Sequence, residues 1–402
     1  MSGGDLAQRA PRVPAAPQIS PLRLISLFGL VLALAYLAAL GSAALQGNFL
    51  VDPQGRPIAN DFVNVWAAGR LALDGDPAAA YDWSAHKAAE VRAVGHDFAN
   101  YYGWHYPPNF LFVALALATL PYLTALLAWL ATTLAAYAAA MRSILGARAG
   151  ILLALGFPAV LWNATAGQNG FLTAAIIGGT LGMLQRRPAL AGVCLGLLSY
   201  KPQFGLLFPL VLIADRRWRT FSVAALTALA LAALSLFVFG AATWEAFAHW
   251  MPITSRVVLG EGAADWSRLQ SLFGFVRANG GSESLAWAVQ GTATLALAAG
   301  LVWLWRSRAA YELKAAALAA GTLLATPYVY IYDCVALAVA IAFLVRYALD
   351  RGFTAGELIG LPCAGLLLLI FPFHPTQVGL AAALIVLALA LNRALFGARR
   401  VG

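Results

Sequence analysis

One acidic residue, Asp61, stands at the start of a short amphipathic segment within the longest polar stretch of an otherwise apolar chain. The segment covers residues 60–81 and reads NDFVNVWAAGRLALDGDPAAAY. The surrounding stretch, residues 47–105, holds seven of the 17 acidic residues: Asp52, Asp61, Asp74, Asp76, Asp82, Glu90 and Asp97. Because a carboxylate beside a membrane can act as a proton acceptor, this stretch is where we expect polar chemistry.

The local pattern around Asp61 is helical. Apolar residues recur at helical spacing from Asn60 to Ala72, and asparagine is a common N-cap. This pattern predicts a helix along the membrane interface, with Asp61 in the first turn, where the helix dipole favours a carboxylate. Arg70 would point to the opposite side of that helix and would not neutralise Asp61. Asp61 is therefore either a helix-start residue or a catalytic carboxylate.

Other polar groups stand where apolar runs end at the same predicted membrane edge. They are Gln168 and Asn169 in AGQNG, Lys201 in SYKPQ, and Tyr328, Tyr330, Tyr332 and Asp333 in TPYVYIYD. Lys201 interrupts an apolar run with no acidic residue within ten positions, so it either extends its ammonium to the interface or binds an anion such as a lipid phosphate. Asp333 either pairs with Lys201 or an arginine, or has a direct role. Further candidates for phosphate contacts are His105, Arg256, Arg268 and His374.

Several familiar motifs are excluded or weakened. Residues 74–76 match the DxD pattern that binds metal in nucleotide-sugar transferases, but Pro77 follows, so a turn is favoured. The sequence has no P-loop, no GxSxG and no HExxH, so no metal and no cofactor are predicted. The cysteines lie in or beside apolar runs without metal-ligand spacing and are predicted to be packing residues: Cys194, Cys334 and Cys363.

The elements that must position these residues are membrane helices. Of the 402 residues, 61% are hydrophobic and 11% charged, far below the roughly 25% charged residues of soluble domains. We predict an all-α polytopic membrane protein with about 11–13 membrane segments. Strong candidates are residues 22–45, 122–141, 218–240, 284–305, 331–349, 356–372 and 376–396. Shorter candidates are residues 107–120, 149–165, 169–185, 189–200, 203–214 and 311–326.

The basic residues predict the orientation. Sixteen of the 26 lysines and arginines form clusters that short loops retain in the cytoplasm. Placing these clusters inside puts both termini in the cytoplasm and the loops 47–105, 241–282, 327–330 and 373–375 on the opposite face. Arg142 and Arg148 also favour the cytoplasm, so a re-entrant or very short segment is expected within residues 107–165.

The sequence also predicts the division of the chain into a tail and one domain. Residues 1–20 are predicted to be a disordered cytoplasmic tail and residues 21–402 a single membrane domain whose first external loop is residues 47–105. The net charge of +9 is a topology signal, and since no basic patch is interleaved with aromatic residues, no nucleic-acid partner is predicted.

The chain resembles glycosyltransferase family 87, the polyprenyl-phosphate-mannose-dependent mannosyltransferases of the C-type glycosyltransferase fold. The pieces that carry the resemblance are DFVNVWAAGRLALDGDPAAAYD (61–82), HYPPNFLFVALALATLP (105–121), GQNGFLTAAIIGG (167–179), LAGVCLGLLSYKPQFGLLFPL (190–210) and TPYVYIYD (326–333). The first and fourth pieces are the most specific. The later external region departs from the mannosyltransferase members, so the resemblance fixes neither acceptor nor sugar.

The resemblance implies an activity and a site. Asp61 would be the general base for metal-independent, inverting transfer of a hexose such as mannose from a polyprenyl phosphate to a glycan or glycolipid acceptor, on the non-cytoplasmic face of the plasma (inner) membrane. From the positions of the polar residues themselves, the predicted contacts to substrate and phosphate are Arg70, His105, Gln168, Asn169, Lys201, Arg268, Tyr328, Tyr330 and Asp333. A groove for the polyprenyl tail would use the room left by glycines 178, 179, 192 and 196.

Two other functions stay open from the residues alone. A lipid or sugar transporter or flippase predicts inverted repeats and polar groups near the bilayer midplane, and the sequence shows neither. A non-catalytic membrane scaffold would carry the same composition.

Overall fold

The computed structural model describes residues 20–263 and 265–396, and within these ranges the chain is helical, with one isolated β-bridge between Val51 and Pro57 and no strand. The predicted tail, residues 1–20, lies outside the described residues except for Ser20, which precedes the first helix. The protein is therefore an all-α membrane protein, as its composition predicts.

The helices follow one another with short connections. The first ten are α1 Pro21–Leu45, α2 Phe62–Leu73, α3 Trp83–Val94, α4 Leu111–Ala118, α5 Tyr122–Leu145, α6 Ala147–Gly156, α7 Ala159–Ala166, α8 Gly170–Met183, α9 Pro188–Leu197 and α10 Pro202–Gly205. The others are α11 Phe208–Ala214, α12 Trp218–Phe239, α13 Ala241–Ser255, α14 Leu272–Ala278, α15 Glu283–Arg306, α16 Tyr311–Leu324, α17 Leu337–Arg351, α18 Ala355–Ile370 and α19 Val378–Phe396.

Six helical segments in the described part of the chain are long and apolar enough to cross a membrane: α1, α5, α12, α15, α19, and α17 together with the 3₁₀ turn before it. Helices α6 and α7 form a pair bent by 60°, which is either a broken span or a re-entrant loop. This bend lies where the sequence predicts an irregular segment. The expected segment at 356–372 is the 16-residue helix α18. Four of the shorter candidates, at 107–120, 169–185, 189–200 and 203–214, are shorter apolar helices, whereas the candidate at 149–165 is the bent pair and that at 311–326 is the 14-residue helix α16.

One helix, α17, lies at the buried centre of the bundle. Helix α17 is buried almost all round, with each residue from Leu337 to Val345 covered, and it packs against α16, α5 and α8. A helix that is apolar on every side belongs in such a position. By contrast, α1 and α12 expose rows of large apolar side chains, which indicates faces in contact with lipid.

Glycines bring several helix pairs close together. A Cβ added to Gly29 of α1 would lie 2.4 Å from the Leu152 carbonyl oxygen on α6. A Cβ added to Gly192 of α9 would lie 2.7 Å from the Thr220 carbonyl oxygen, and one added to Gly196 would lie 2.4 Å from Thr227 Cβ, both on α12. The expectation that these two glycines leave room for a lipid tail is therefore wrong, because α12 fills that space.

The long polar segment between α1 and α4 is folded. Helix α2 lies where the sequence predicts it, and eight of its twelve residues are buried against α3 and α4. Between α2 and α3, Gly75 has φ +91° and the Asp76 carboxylate accepts a hydrogen bond of 3.2 Å from the Ala79 amide. The DGDP stretch is thus a turn, as predicted.

Candidate active site

Asp61 stands at the N-terminal end of α2 with its carboxylate directed away from the helix. Asn60 does the capping, since its Oδ1 accepts hydrogen bonds from the Phe62 amide at 3.1 Å and the Tyr122 hydroxyl at 3.2 Å. The Asp61 side chain caps nothing and instead accepts a hydrogen bond of 3.0 Å from Gln168 Nε2. The helix start therefore places a half-buried carboxylate into a tertiary contact.

Gln168, which donates to Asp61, lies in the tight turn between α7 and α8. A chain of hydrogen bonds continues from there: the Tyr106 hydroxyl donates to Gln168 Oε1 at 3.3 Å, and Asn169 Nδ2 donates to the Tyr106 hydroxyl at 2.7 Å. The Oδ1 of Asn169 is buried and has no hydrogen-bond partner in the described part of the chain. The network therefore ends in a buried acceptor without a partner among the described residues, and such an atom needs an explanation.

Lys201 and Asp333 form a buried ion pair. Their side chains are 8% and 1% exposed, and Lys201 Nζ donates to Asp333 Oδ1 at 2.7 Å. The other carboxylate oxygen accepts from the Tyr330 amide at 3.0 Å, which fixes the carboxylate against the backbone. Of the alternatives that the sequence leaves open for Asp333, the structure shows the pair with Lys201. A lysine ammonium has three donors, so two N–H groups remain after this bond.

Two contacts join the Asp61 network to this ion pair. The ring of Tyr106 lies 6.2 Å from that of Tyr200, the neighbour of Lys201. Gly170 at the start of α8 packs directly on the backbone of Tyr332, the neighbour of Asp333. Lys201 and Asp333 are close enough for their charges to act on the carboxylate of Asp61.

Replacing Gly170 by alanine is expected to destabilise the protein by about 1–3 kcal/mol through overpacking. An added Cβ would lie 2.2 Å from the Tyr332 carbonyl oxygen. Gly179→Ala on the same helix is the matched control, because the nearest heavy atoms there would be 3.8 Å away. Thermal unfolding of both variants in detergent measures the difference. Equal melting temperatures would show that α8 can yield at Gly170.

Arg268 and the tyrosines complete the cluster. Arg268 is exposed, has no side-chain partner among the described residues, and is near enough to Asp61 to act on its charge. Tyr330 and Tyr332 stack with ring centroids 5.4 Å apart, and burial, together with the nearby carboxylate of Asp61, raises the pKa of the Tyr330 phenol. The Tyr328 hydroxyl donates to Ser255 Oγ at 2.8 Å and is engaged there.

Two of the sequence candidates lie elsewhere. Arg70 pairs with Asp74 at 3.1 Å on the exposed, C-terminal side of α2, about 13 Å of helix rise from Asp61. His105 is exposed, with its ring against Gly103, and makes no hydrogen bond in the described structure. Neither residue joins the cluster around Asp61 and Lys201.

Sequence reasoning did not identify two polar features. Tyr106 bridges Gln168 and Asn169 through its hydroxyl group. His86 and Glu90 on α3 are both fully buried and lie 3.7 Å apart, with both imidazole nitrogens unpartnered in the described structure. Their i, i+4 spacing was the available signal.

Two cavities lie away from this cluster. One of about 640 Å³ lies between the ends of α11 and α15, and one of about 220 Å³ lies beside Arg70. Asp61 and Lys201 line neither of them. Among the described residues, no three His, Cys, Asp or Glu side chains are placed to share a metal ion.

Comparison with known proteins gives one match. The family model described as "Glycosyltransferase family 87" matches residues 104–327, more than half of the chain. No curated protein and no solved structure matches the chain significantly. The matched range includes Tyr106, Gln168, Asn169 and Lys201, whereas Asp61 and Asp333 lie outside it.

Proposed function

Because the chain belongs to glycosyltransferase family 87 and is thus a membrane glycosyltransferase, we propose that it transfers a hexose from a polyprenyl phosphate to an acceptor hydroxyl group. Asp61 is the general base of this proposal. The observation that supports it is the capping of α2 by Asn60, which leaves the carboxylate of Asp61 at the edge of a cluster that also contains Lys201 and Arg268.

The proposed reaction is a single inverting displacement at the anomeric carbon. Asp61 accepts the proton of the acceptor hydroxyl group as its oxygen forms the new glycosidic bond. The bond between the anomeric carbon and the phosphate oxygen breaks, and its electron pair leaves with the lipid phosphate. The donor is already activated, which fits a chain with no nucleotide-binding motif.

The leaving phosphate gains negative charge, and the cluster offers donors for it. Arg268 is the exposed cation nearest the reaction in this proposal, and Lys201 contributes the two N–H groups that Asp333 does not occupy. Asp333 holds the ammonium in place, so its position costs no reorganisation during the reaction. Fixed donors of this kind stabilise developing charge strongly in a site with little water.

The acceptor hydroxyl group requires contacts of its own. Asn169 Oδ1, buried and unpartnered in the described structure, is suited to accept a hydrogen bond from a sugar hydroxyl. It is connected through Tyr106 to Gln168, which touches Asp61. The same network that orients the base would then also align the acceptor.

The test is a donor panel. Purified protein is incubated with polyprenyl-phosphate mannose, glucose and galactose, with an acceptor mixture of membrane glycolipids, and the products are identified by mass spectrometry. We expect one hexose to be transferred, with inverted anomeric configuration and an unchanged rate in EDTA. Movement of intact donor across a vesicle membrane without product would favour a flippase instead.

The pH profile of the transfer is a second expectation. Burial raises the pKa of Asp61 to about 6, partly opposed by the hydrogen bond from Gln168. A general base acts when ionised, so kcat/KM is expected to be constant above about pH 6 and to fall about tenfold per pH unit below it. Gln168→Met removes a donor that favours the carboxylate and should move the inflection to higher pH. An inflection near pH 4 in both proteins would contradict the assignment of Asp61.

A further inference from the structure

The largest cavity described above lies far from the proposed active site. It has a volume of about 640 Å³ and is lined by Leu210, Ile213, Ala214, Asp215, Arg216, Val302, Trp305, Arg306 and Ser307. The C-terminal end of α15 forms one wall, whereas its N-terminal end packs beside α14, which follows Arg268 closely in the chain. Since α15 has 24 residues, these ends are about 36 Å apart.

The charge of the cavity is positive. Asp215 is engaged by Arg217, whose Nε lies 2.7 Å from its carboxylate. Arg216 and Arg306 are exposed and pair with no carboxylate in the described part of the chain. Two guanidinium groups at one cavity provide the planar, multiple donors that match the oxygens of a phosphate.

The backbone holds Arg216 in a defined place. Its φ of 55° lies in the left-handed region, which is uncommon for a residue with a side chain. The turn that imposes this conformation is tied by the Arg216 amide to Ile213 O at 3.1 Å and by the Arg217 amide to Leu212 O at 2.8 Å. Such a conformation costs about 1–3 kcal/mol and persists where the surroundings fix it.

Trp305 lines the cavity with a side chain that is 1% exposed. The end of α15 beside it is fixed by Lys314, whose Nζ donates to Trp305 O at 2.9 Å and to Ser307 O at 2.8 Å. Arg306 therefore projects from a defined stretch of backbone.

The surroundings of the cavity are those of a lipid boundary. Leu210 and Ile213 are more than 40% exposed on its α11 side. Trp218 and Trp303 are 55% and 56% exposed at the same end of the bundle. Tryptophan is enriched at the depth of lipid headgroups, and the exposed leucine and isoleucine suit an acyl chain. A soluble anion would gain nothing from these apolar side chains.

We propose that this cavity binds the phosphate of an anionic phospholipid, with the guanidinium groups of Arg216 and Arg306 on the headgroup and with an acyl chain along α11. Basic pockets between membrane helices bind such headgroups in general. This site does not depend on the proposed transfer reaction, because it lies at the opposite end of the bundle from Asp61.

The test compares two lipids on the intact protein. Native mass spectra are recorded with phosphatidylglycerol and phosphatidylcholine carrying identical acyl chains. We expect the wild-type protein to retain phosphatidylglycerol about tenfold more strongly, since a charge-assisted hydrogen bond contributes enough for that factor. The Arg216→Gln/Arg306→Gln variant should lose this preference. Equal retention of the two lipids by the wild-type protein overturns the proposal without any variant.

The matched control is Arg219→Gln/Arg308→Gln, which removes two exposed arginines of the same region that do not line the cavity. It should keep the preference for phosphatidylglycerol. Loss of the preference in this control would mean diffuse attraction between charges and would overturn a defined site. Displacement of phosphatidylglycerol by an equal concentration of inorganic phosphate would overturn the lipid as the occupant and assign the cavity to a soluble anion.

Discussion

Replacing Asp61 by asparagine is expected to lower the rate of sugar transfer about 10²- to 10⁴-fold, the typical contribution of a positioned general base. The side-chain amide keeps the size of the carboxylate and still offers an oxygen to Gln168 Nε2, which lies 3.0 Å from Asp61 in the structure. Because Asn60 caps the helix, the fold does not depend on the charge of residue 61. The loss should therefore appear in kcat while expression and melting temperature stay near wild type.

The matched control for this experiment is Asp74→Asn at the other end of α2. Asp74 is an exposed acid of the same helix region, paired with Arg70 on the surface, and an exposed pair contributes only about 0–1 kcal/mol. We expect transfer by this variant within about twofold of wild type. Full activity of Asp61→Asn would remove Asp61 from the mechanism, whereas an equal loss in both variants would indicate damage to the loop.

Local features of this chain could be predicted from the sequence because neighbouring residues determine them. The turn at residues 74–77 follows from the turn-forming preferences of Asp, Gly and Pro, and the bounds of α3 follow from Asp82, whose carboxylate caps it through the Ala85 amide at 2.8 Å. The membrane helices follow from long apolar runs. In each case the signal lies within about 25 consecutive residues.

Contacts between residues far apart in the chain could be predicted only as one of several alternatives. Lys201 and Asp333 are 132 residues apart, and nothing local distinguishes that pairing from an arginine partner for Asp333. The packing of α9 on α12 shows the same limit, because a glycine marks a close approach without showing whether a helix or a lipid occupies the space. The contacts of Tyr106 could not be predicted for a related reason. Its neighbours Tyr101, Tyr102 and Trp104 form an aromatic cluster typical of a membrane interface, so nothing local indicates that Tyr106 bonds to Gln168 and Asn169.

Breaking the buried ion pair on one side is expected to destabilise the protein by about 3–5 kcal/mol. Lys201→Met keeps the length and packing of the side chain but leaves the carboxylate of Asp333, 1% exposed, without its cation. The Tyr330 amide alone cannot compensate that charge. Chemical or thermal unfolding in detergent measures the loss. Lys87→Met on α3 serves as a control, because it removes a lysine with no carboxylate partner in the described structure.

The double variant Lys201→Met/Asp333→Asn separates stability from chemistry. Removing both charges leaves no unpaired ion, so most of the lost stability should return. If Lys201 stabilises the leaving phosphate, transfer should stay low in the double variant although the fold is restored, because the two N–H groups that Asp333 leaves available are gone. Recovery of stability together with transfer would show that the pair only holds the segment after Tyr330 in place. Phosphate stabilisation would then rest on Arg268, whose replacement by glutamine becomes the decisive variant.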